Sequence, residues 1–219
     1  MRYKVIMSNR LLFTAALIAG TSYYFVDHVL APGTAAIVWK GAGVGLLALW
    51  AATQARDRAG WLITVVLALG ALGDVLLETS GLTVGALAFL AGHLVAVALY
   101  LTHRRATGAT DWAVAAVVLV ATPVAAWLLP TDRSAAPGIA LYATGLGAMA
   151  ASAWLSRFPR TYVGLGALLF VLSDLLIFSR IGPLSASPIP NFLIWPTYFG
   201  GQALIAWGVV AALDRTRPT

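Results

Sequence analysis

The 219-residue sequence predicts an all-α, polytopic membrane protein: a single domain, residues 1–219, of eight transmembrane helices with both termini cytoplasmic. Three observations carry that prediction. Hydrophobic residues make up 60% of the chain and charged residues 10%, where a soluble domain carries about 25% charged residues. The apolar residues form eight runs of roughly 18–22, the length that spans ~30 Å of hydrocarbon as a helix. Lys and Arg are distributed one-sidedly between those runs.

The first run, near 10–27, follows Arg2, Lys4 and Arg10, a charge pattern that resembles a signal peptide. No small-x-small cleavage site follows Ile18 and seven more runs come after it, so the segment reads as the first span. The second, near 35–54, contains Lys40 and the glycines Gly41, Gly43 and Gly45. The third, near 60–79, contains Asp74 and Glu78, and the fourth, near 82–102, contains His93. The fifth runs near 112–129, and the sixth, near 137–156, carries Tyr142, Gly145 and Gly147. The seventh, near 161–180, holds Asp174 with Gly164 and Gly166; the eighth, near 190–212, holds Tyr198 and Gln202 with Gly200 and Gly201. The recurrent small residues predict close helix-to-helix approach.

Eleven basic residues fall on one side of this arrangement: Arg2, Lys4, Arg10, Arg56, Arg58, Arg104, Arg105, Arg157, Arg160, Arg215 and Arg217. Arg133 and Arg180 fall on the other, which makes the first side cytoplasmic. The outer loops carry Asp27, His28, Asp132 and the longest outer connection, Gly182 to Pro190, which reads as a lid or rim. Asp74 and Asp174 lie on corresponding third helices of the two halves, one hundred residues apart, which suggests a parallel repeat of four helices.

Composition also excludes. With no cysteine, disulfides, thiolate metal sites and Cys nucleophiles are ruled out. The net charge of +6 arises from residues between apolar runs, with no basic–aromatic patch, so no nucleic-acid partner is expected. His28, His93 and His103 fall outside, mid-membrane and inside, where they cannot share one zinc ion, and no metal or other cofactor is expected. No Gly-x-Ser-x-Gly nucleophile elbow occurs.

Carboxylate chemistry or ion-coupled transport remains. A charged group in hydrocarbon costs several kcal/mol unless it is paired, hydrated or protonated, so intramembrane acids point to function. Asp74 lies sixteen residues beyond Arg58 and Asp174 fourteen beyond Arg160, which places them ~24 and ~21 Å from the cytoplasmic edge at a rise of ~1.5 Å per residue. Lys40, Tyr142, Tyr198 and Gln202 belong to the same outer half, and Tyr198 and Gln202 share a helix face. Each also has a plainer reading. Lys40 neutralises an Asp, His93 is a packed core histidine, the tyrosines are aromatic-belt residues and Glu78 is a solvated helix end.

Taken together these residues resemble the YhhN family of lysoplasmalogenases. The resemblance rests on Lys40 in the second span, Gly73-Asp74-Val75-Leu76-Leu77 in the third and His93 in the fourth. It continues in Gly166-Ala167-Leu168-Leu169-Phe170-Val171-Leu172-Ser173-Asp174 and in Tyr198-x-x-x-Gln202, and it covers about Trp39 to Trp207. Where the family usually has proline after the lysine, this chain has Gly41. The resemblance implies hydrolysis of the vinyl ether of a lysoplasmalogen to a fatty aldehyde and glycerophospho-choline or -ethanolamine. It makes Asp74 and Asp174 the acid/base pair. Lys40, His93, Tyr142, Tyr198 and Gln202 would bind substrate or water, with Glu78 as a further participant. The expected partners are the alkenyl lysolipid and membrane lipid, in a bacterial inner membrane. The alternatives are a small proton- or cation-coupled transporter, a lipid-binding protein, or a hydrolase of a related ether or ester lysolipid.

Overall fold

The computed structural model describes residues 2–29 and 33–215, with side chains over 10–25 and 33–215. The side chains of Arg2, Lys4, Asp27 and His28, and all of Arg217, lie outside the described residues. Among those described the chain is all-α, with eight α-helices. They are α1 (Arg2–Val29), α2 (Thr34–Gln54), α3 (Arg58–Thr79), α4 (Leu82–Thr102), α5 (Ala109–Leu128), α6 (Ala136–Leu155), α7 (Leu165–Ser179) and α8 (Ile189–Arg215). A π-helical turn, Arg160–Gly164, leads directly into α7, so the seventh apolar run is one continuous rod of two helix types.

The bounds of α2, α3, α4 and α6 fall within two residues of those expected from the apolar runs. Three helices overrun their apolar segments for the same reason: helix formation does not stop where hydrophobicity does. α8 runs on to Arg215. α1 continues through its basic leader to Arg2, and α5 starts at Ala109. There Asp111 occupies the first turn, where a negative charge complements the helix dipole. Among the described residues six helices, α2 to α6 and the rod Arg160–Ser179, are long and apolar enough to cross a membrane, making this a multi-pass membrane protein. Leu141 at 70% exposure and Leu87 at 61% belong to apolar outer faces that suit lipid rather than water.

The helices form two compact units, Met1–Val95 with Val209–Thr219, and Ala96–Gly208. In the first, α1 packs on α2 and α2 on α3, with Phe13 against Trp50 at 4.6 Å between ring centroids. Asp57 caps α3 by accepting from the Gly60 amide at 2.8 Å. Gly41 lets α2 close on α3, since a Cβ there would stand 2.8 Å from Val75 Cγ2. Gly85 likewise lets α4 close over Leu77.

The α3–α4 turn is set by Gly81 at φ +87°, after Ser80 N–H donates to Leu76 O at 2.9 Å. A Cβ at Gly81 would meet nothing within 4 Å. Gly81→Ala therefore carries only the backbone cost of the left-handed conformation, a loss of about 1 kcal/mol, to be read from thermal unfolding in detergent.

In the second unit α5 and α6 pack closely. Pro123 inside α5 has no N–H, which deprives the Leu119 carbonyl of its helical donor. α6 meets α5 at this point through Gly147, where a Cβ would lie 3.2 Å from Leu119 O and 3.3 Å from Val118 O. α7 and α8 touch backbone to backbone: a Cβ on Gly201 would stand 2.6 Å from Gly166 O, and one on Gly166 2.7 Å from Gly201 O. The small-residue pairs read from the sequence thus divide. Gly41, Gly147, Gly166 and Gly201 are contact points, whereas Gly200 faces open space.

Candidate functional site

The unit Met1–Val95 with Val209–Thr219 places four of the candidate residues. Asp74 is 2% exposed on α3 and His93 4% exposed on α4. The local sequence explains why so costly a carboxylate is covered. Gly73, its neighbour, allows the Phe89 ring of α4 to approach to where a Cβ would be only 2.7 Å away. Val75, on the other side, fills the notch at Gly41 of α2. Helices α2 and α4 are therefore drawn in at the Asp74 level.

One turn further along α3, Glu78 accepts from the Lys40 ammonium at 2.6 Å. The side chains are 45% and 15% exposed respectively. Lys40 therefore directs its bond to Glu78, an acid that had read as a solvated helix end. An ion pair this open to its surroundings contributes at most about 1 kcal/mol to stability.

The unit Ala96–Gly208 places the other four. Asp174 on α7 is 5% exposed, and the Tyr142 phenol of α6 donates to its Oδ2 at 2.5 Å. Tyr142 is held edge-on to Phe178, with centroids 5.9 Å apart. On α8, Gln202 Nε2 donates to the Tyr198 hydroxyl at 3.5 Å, the one-turn pairing expected from their spacing. Tyr198 stands edge-on to Phe170 at 5.1 Å and against Trp195 at 5.5 Å. Tyr142 and Tyr198 are both buried, so neither takes the lipid-facing position of an aromatic belt.

One residue beside the site was not singled out from the sequence for a role of its own. Ser173, fully buried, donates from its hydroxyl to Ile194 O at 3.2 Å and so ties α7 to α8 next to Asp174. The same carbonyl accepts from Thr197 Oγ1 at 3.1 Å, just past Pro196, where the helix lacks an amide donor. The signal available was a serine adjoining an aspartate in an otherwise apolar run. Its acceptor, a main-chain oxygen on another helix, leaves no trace in the sequence.

Within the first unit Lys40 is bonded to Glu78, and Asp74 and His93 are buried; within the second Tyr142 is bonded to Asp174 and Gln202 to Tyr198. Among the described residues each unit holds one buried aspartate. Among the described residues no group of three or more His, Asp and Glu could hold a metal ion. Chemically, a carboxyl whose Oδ2 is occupied by a phenol donor can carry or release a proton at Oδ1, which is what a general acid or base requires.

Residues 35–209 match the model of the YhhN family, a stretch that contains all eight candidate residues. No curated protein and no solved structure matches the chain significantly.

Proposed function

The chain belongs to the YhhN family, and from that premise we propose that it is a lysoplasmalogenase of eight transmembrane spans, with both termini cytoplasmic, in a bacterial inner membrane. The family is associated with hydrolase activity. The observation that carries the reading is the Tyr142–Asp174 pair: a carboxyl buried in an apolar helix yet equipped with a donor at 2.5 Å. In this reading Asp74, likewise buried, serves as the second carboxylate.

A vinyl ether is cleaved by adding a proton to the alkene carbon remote from oxygen. The π electrons form the new C–H bond, and the adjoining carbon becomes an oxocarbenium ion stabilised by its ether oxygen. Water attacks that carbon and loses a proton to a base, giving a hemiacetal. The hemiacetal hydroxyl then gives up its proton to the base as its oxygen forms the carbonyl, the bond to the glycerol oxygen breaks, that oxygen takes up a proton from the acid, and the fatty aldehyde leaves. One carboxylic acid and one carboxylate suffice, as in glycosidases that pass through a similar cation.

Asp74 and Asp174 fill these two roles. Lys40, with two N–H donors left after its bond to Glu78, attracts the substrate phosphate. His93, Tyr198 and Gln202 hold water or substrate oxygens, and Tyr142 orients the Asp174 carboxyl. The positioning role of Tyr142 has its own check. Tyr142→Phe deletes a hydrogen bond to a carboxyl group, of a kind worth about 1.5–3 kcal/mol. It should lower kcat roughly ten- to a hundredfold with little change in KM.

The reading is tested by incubating purified protein with an alkenyl lysophospholipid and measuring aldehyde by mass spectrometry, with the acyl lysolipid in parallel. Aldehyde from the alkenyl lipid supports it. Fatty acid from the acyl lipid alone would reassign the chain as an ester hydrolase. Ion flux in proteoliposomes without any product would make it a transporter.

A further inference from the structure

The Ala96–Gly208 unit contains a second polar cluster, at the opposite end of α6 and α7 from Tyr142 and Asp174. The chain after α4 and the chain after α6 are zipped together there. Arg157 N–H donates to His103 O at 2.7 Å and Arg105 N–H to Leu155 O at 3.3 Å, with an antiparallel bridge between Arg104 and Ser156. Four arginines, Arg104, Arg105, Arg157 and Arg160, thereby arise from neighbouring backbone. Against them stands one acid, Asp111, whose Oδ2 accepts from Arg105 at 3.3 Å and whose Oδ1 is ion-paired with Arg160. The Trp154 carbonyl also serves both guanidinium groups, at 3.2 Å from Arg105 and 3.4 Å from Arg160.

Acceptors run out before donors do. Arg105 Nε and the Trp154 indole N–H are buried without a hydrogen bond, as is the Tyr100 hydroxyl nearby in sequence on α4. A topology signal needs only cations outside the hydrocarbon; it does not need two arginines turned inward onto one carboxylate with donors to spare. The missing component is an acceptor-rich anion, and phosphate is the ion whose oxygens suit paired guanidinium groups.

The surroundings select the source. The cluster lies at the ends of four helices that are long and apolar enough to cross a membrane. Arg104 stacks over Trp112 at 4.9 Å, and Arg160 over Trp154 at 4.7 Å, the tryptophan–cation pairing of a headgroup layer. Arg104, Arg157 and Trp112 are exposed at the rim. We infer that this cluster binds the phosphate of an acidic membrane phospholipid, at a site separate from Tyr142 and Asp174 and independent of what they do.

The test uses the full chain in detergent with phosphatidylglycerol, phosphatidylcholine or inorganic phosphate added. Thermal unfolding and lipid retention in native mass spectrometry are the readouts. Phosphatidylglycerol should be retained and raise the unfolding temperature more than phosphatidylcholine does. Each rim arginine near acidic lipid is worth about fivefold in retention, so Arg104→Gln with Arg157→Gln should cost roughly twenty-five-fold. Arg56→Gln with Arg58→Gln, the same change of charge in the other unit, should leave retention unaltered. Arg105→Gln removes an inward donor, and the rim pair keeps the test decisive if that variant fails to fold. Equal retention of the two lipids, or equal loss in both double variants, overturns the site. Stabilisation by inorganic phosphate without any by lipid overturns the lipid assignment.

Discussion

Asp174→Asn is expected to remove at least a hundredfold from the rate of aldehyde release, and Asp74→Asn the same, since an amide can neither deliver nor accept the proton. Asparagine matches aspartate in shape and removes a charge that an apolar helix holds at a cost, so neither variant should lose stability through cavity formation. Circular dichroism and unfolding temperature should stay near wild type while the product disappears. The double variant should be little worse than the poorer single one, because residues that act in one chemical step do not contribute additively. Lys40→Met should instead raise KM while sparing much of kcat, because Lys40 holds a part of the substrate that does not change charge during the reaction.

Gly201→Ala is expected to produce a large structural effect at the α7–α8 contact. Its new methyl group would meet Gly166 O at 2.6 Å and Phe170 N at 3.2 Å. Both are main-chain atoms, which cannot rotate aside, so α7 and α8 must separate at a cost of about 1–3 kcal/mol. That corresponds to a fall of several degrees in unfolding temperature, at about 2–4 °C per kcal/mol. Activity should fall as well, because Tyr198 and Gln202 ride on α8 within three residues of the contact. Gly200→Ala is the control: a Cβ there meets nothing within 4 Å, and the variant should behave as wild type. Gly166→Ala forces the same separation from the other side, so the two changes should combine to less than their sum.

These predictions show which parts of the molecule were legible from sequence. Apolar length set the helices well, because the thickness of hydrocarbon demands it, and α4 coincides with its expected span. The π-helical start of the seventh rod was not legible, since a single i→i+5 turn needs no special residue. The pairing of Tyr198 with Gln202 followed from one helical turn of spacing. The bond from Tyr142 to Asp174 was foreshadowed only as a shared depth, because α6 and α7 carry no mark of which faces meet. Lys40 and Glu78 lie 38 residues apart and nothing in the sequence pairs them; the structure joins them because Gly41 brings α2 against α3 one position away. Asp111 escaped notice because its two arginines lie in separate connections, six and forty-nine residues along the chain.

The central claim is that the chain cleaves a vinyl ether by protonating carbon, and solvent labelling tests it most directly. Purified protein is given an alkenyl lysophospholipid in deuterium oxide, and the aldehyde is trapped as it forms and analysed by mass spectrometry. The account predicts a single deuterium on the carbon next to the aldehyde group, with unlabelled hydrogen retained at the aldehyde carbon. An absence of aldehyde, or aldehyde lacking that deuterium, would contradict it.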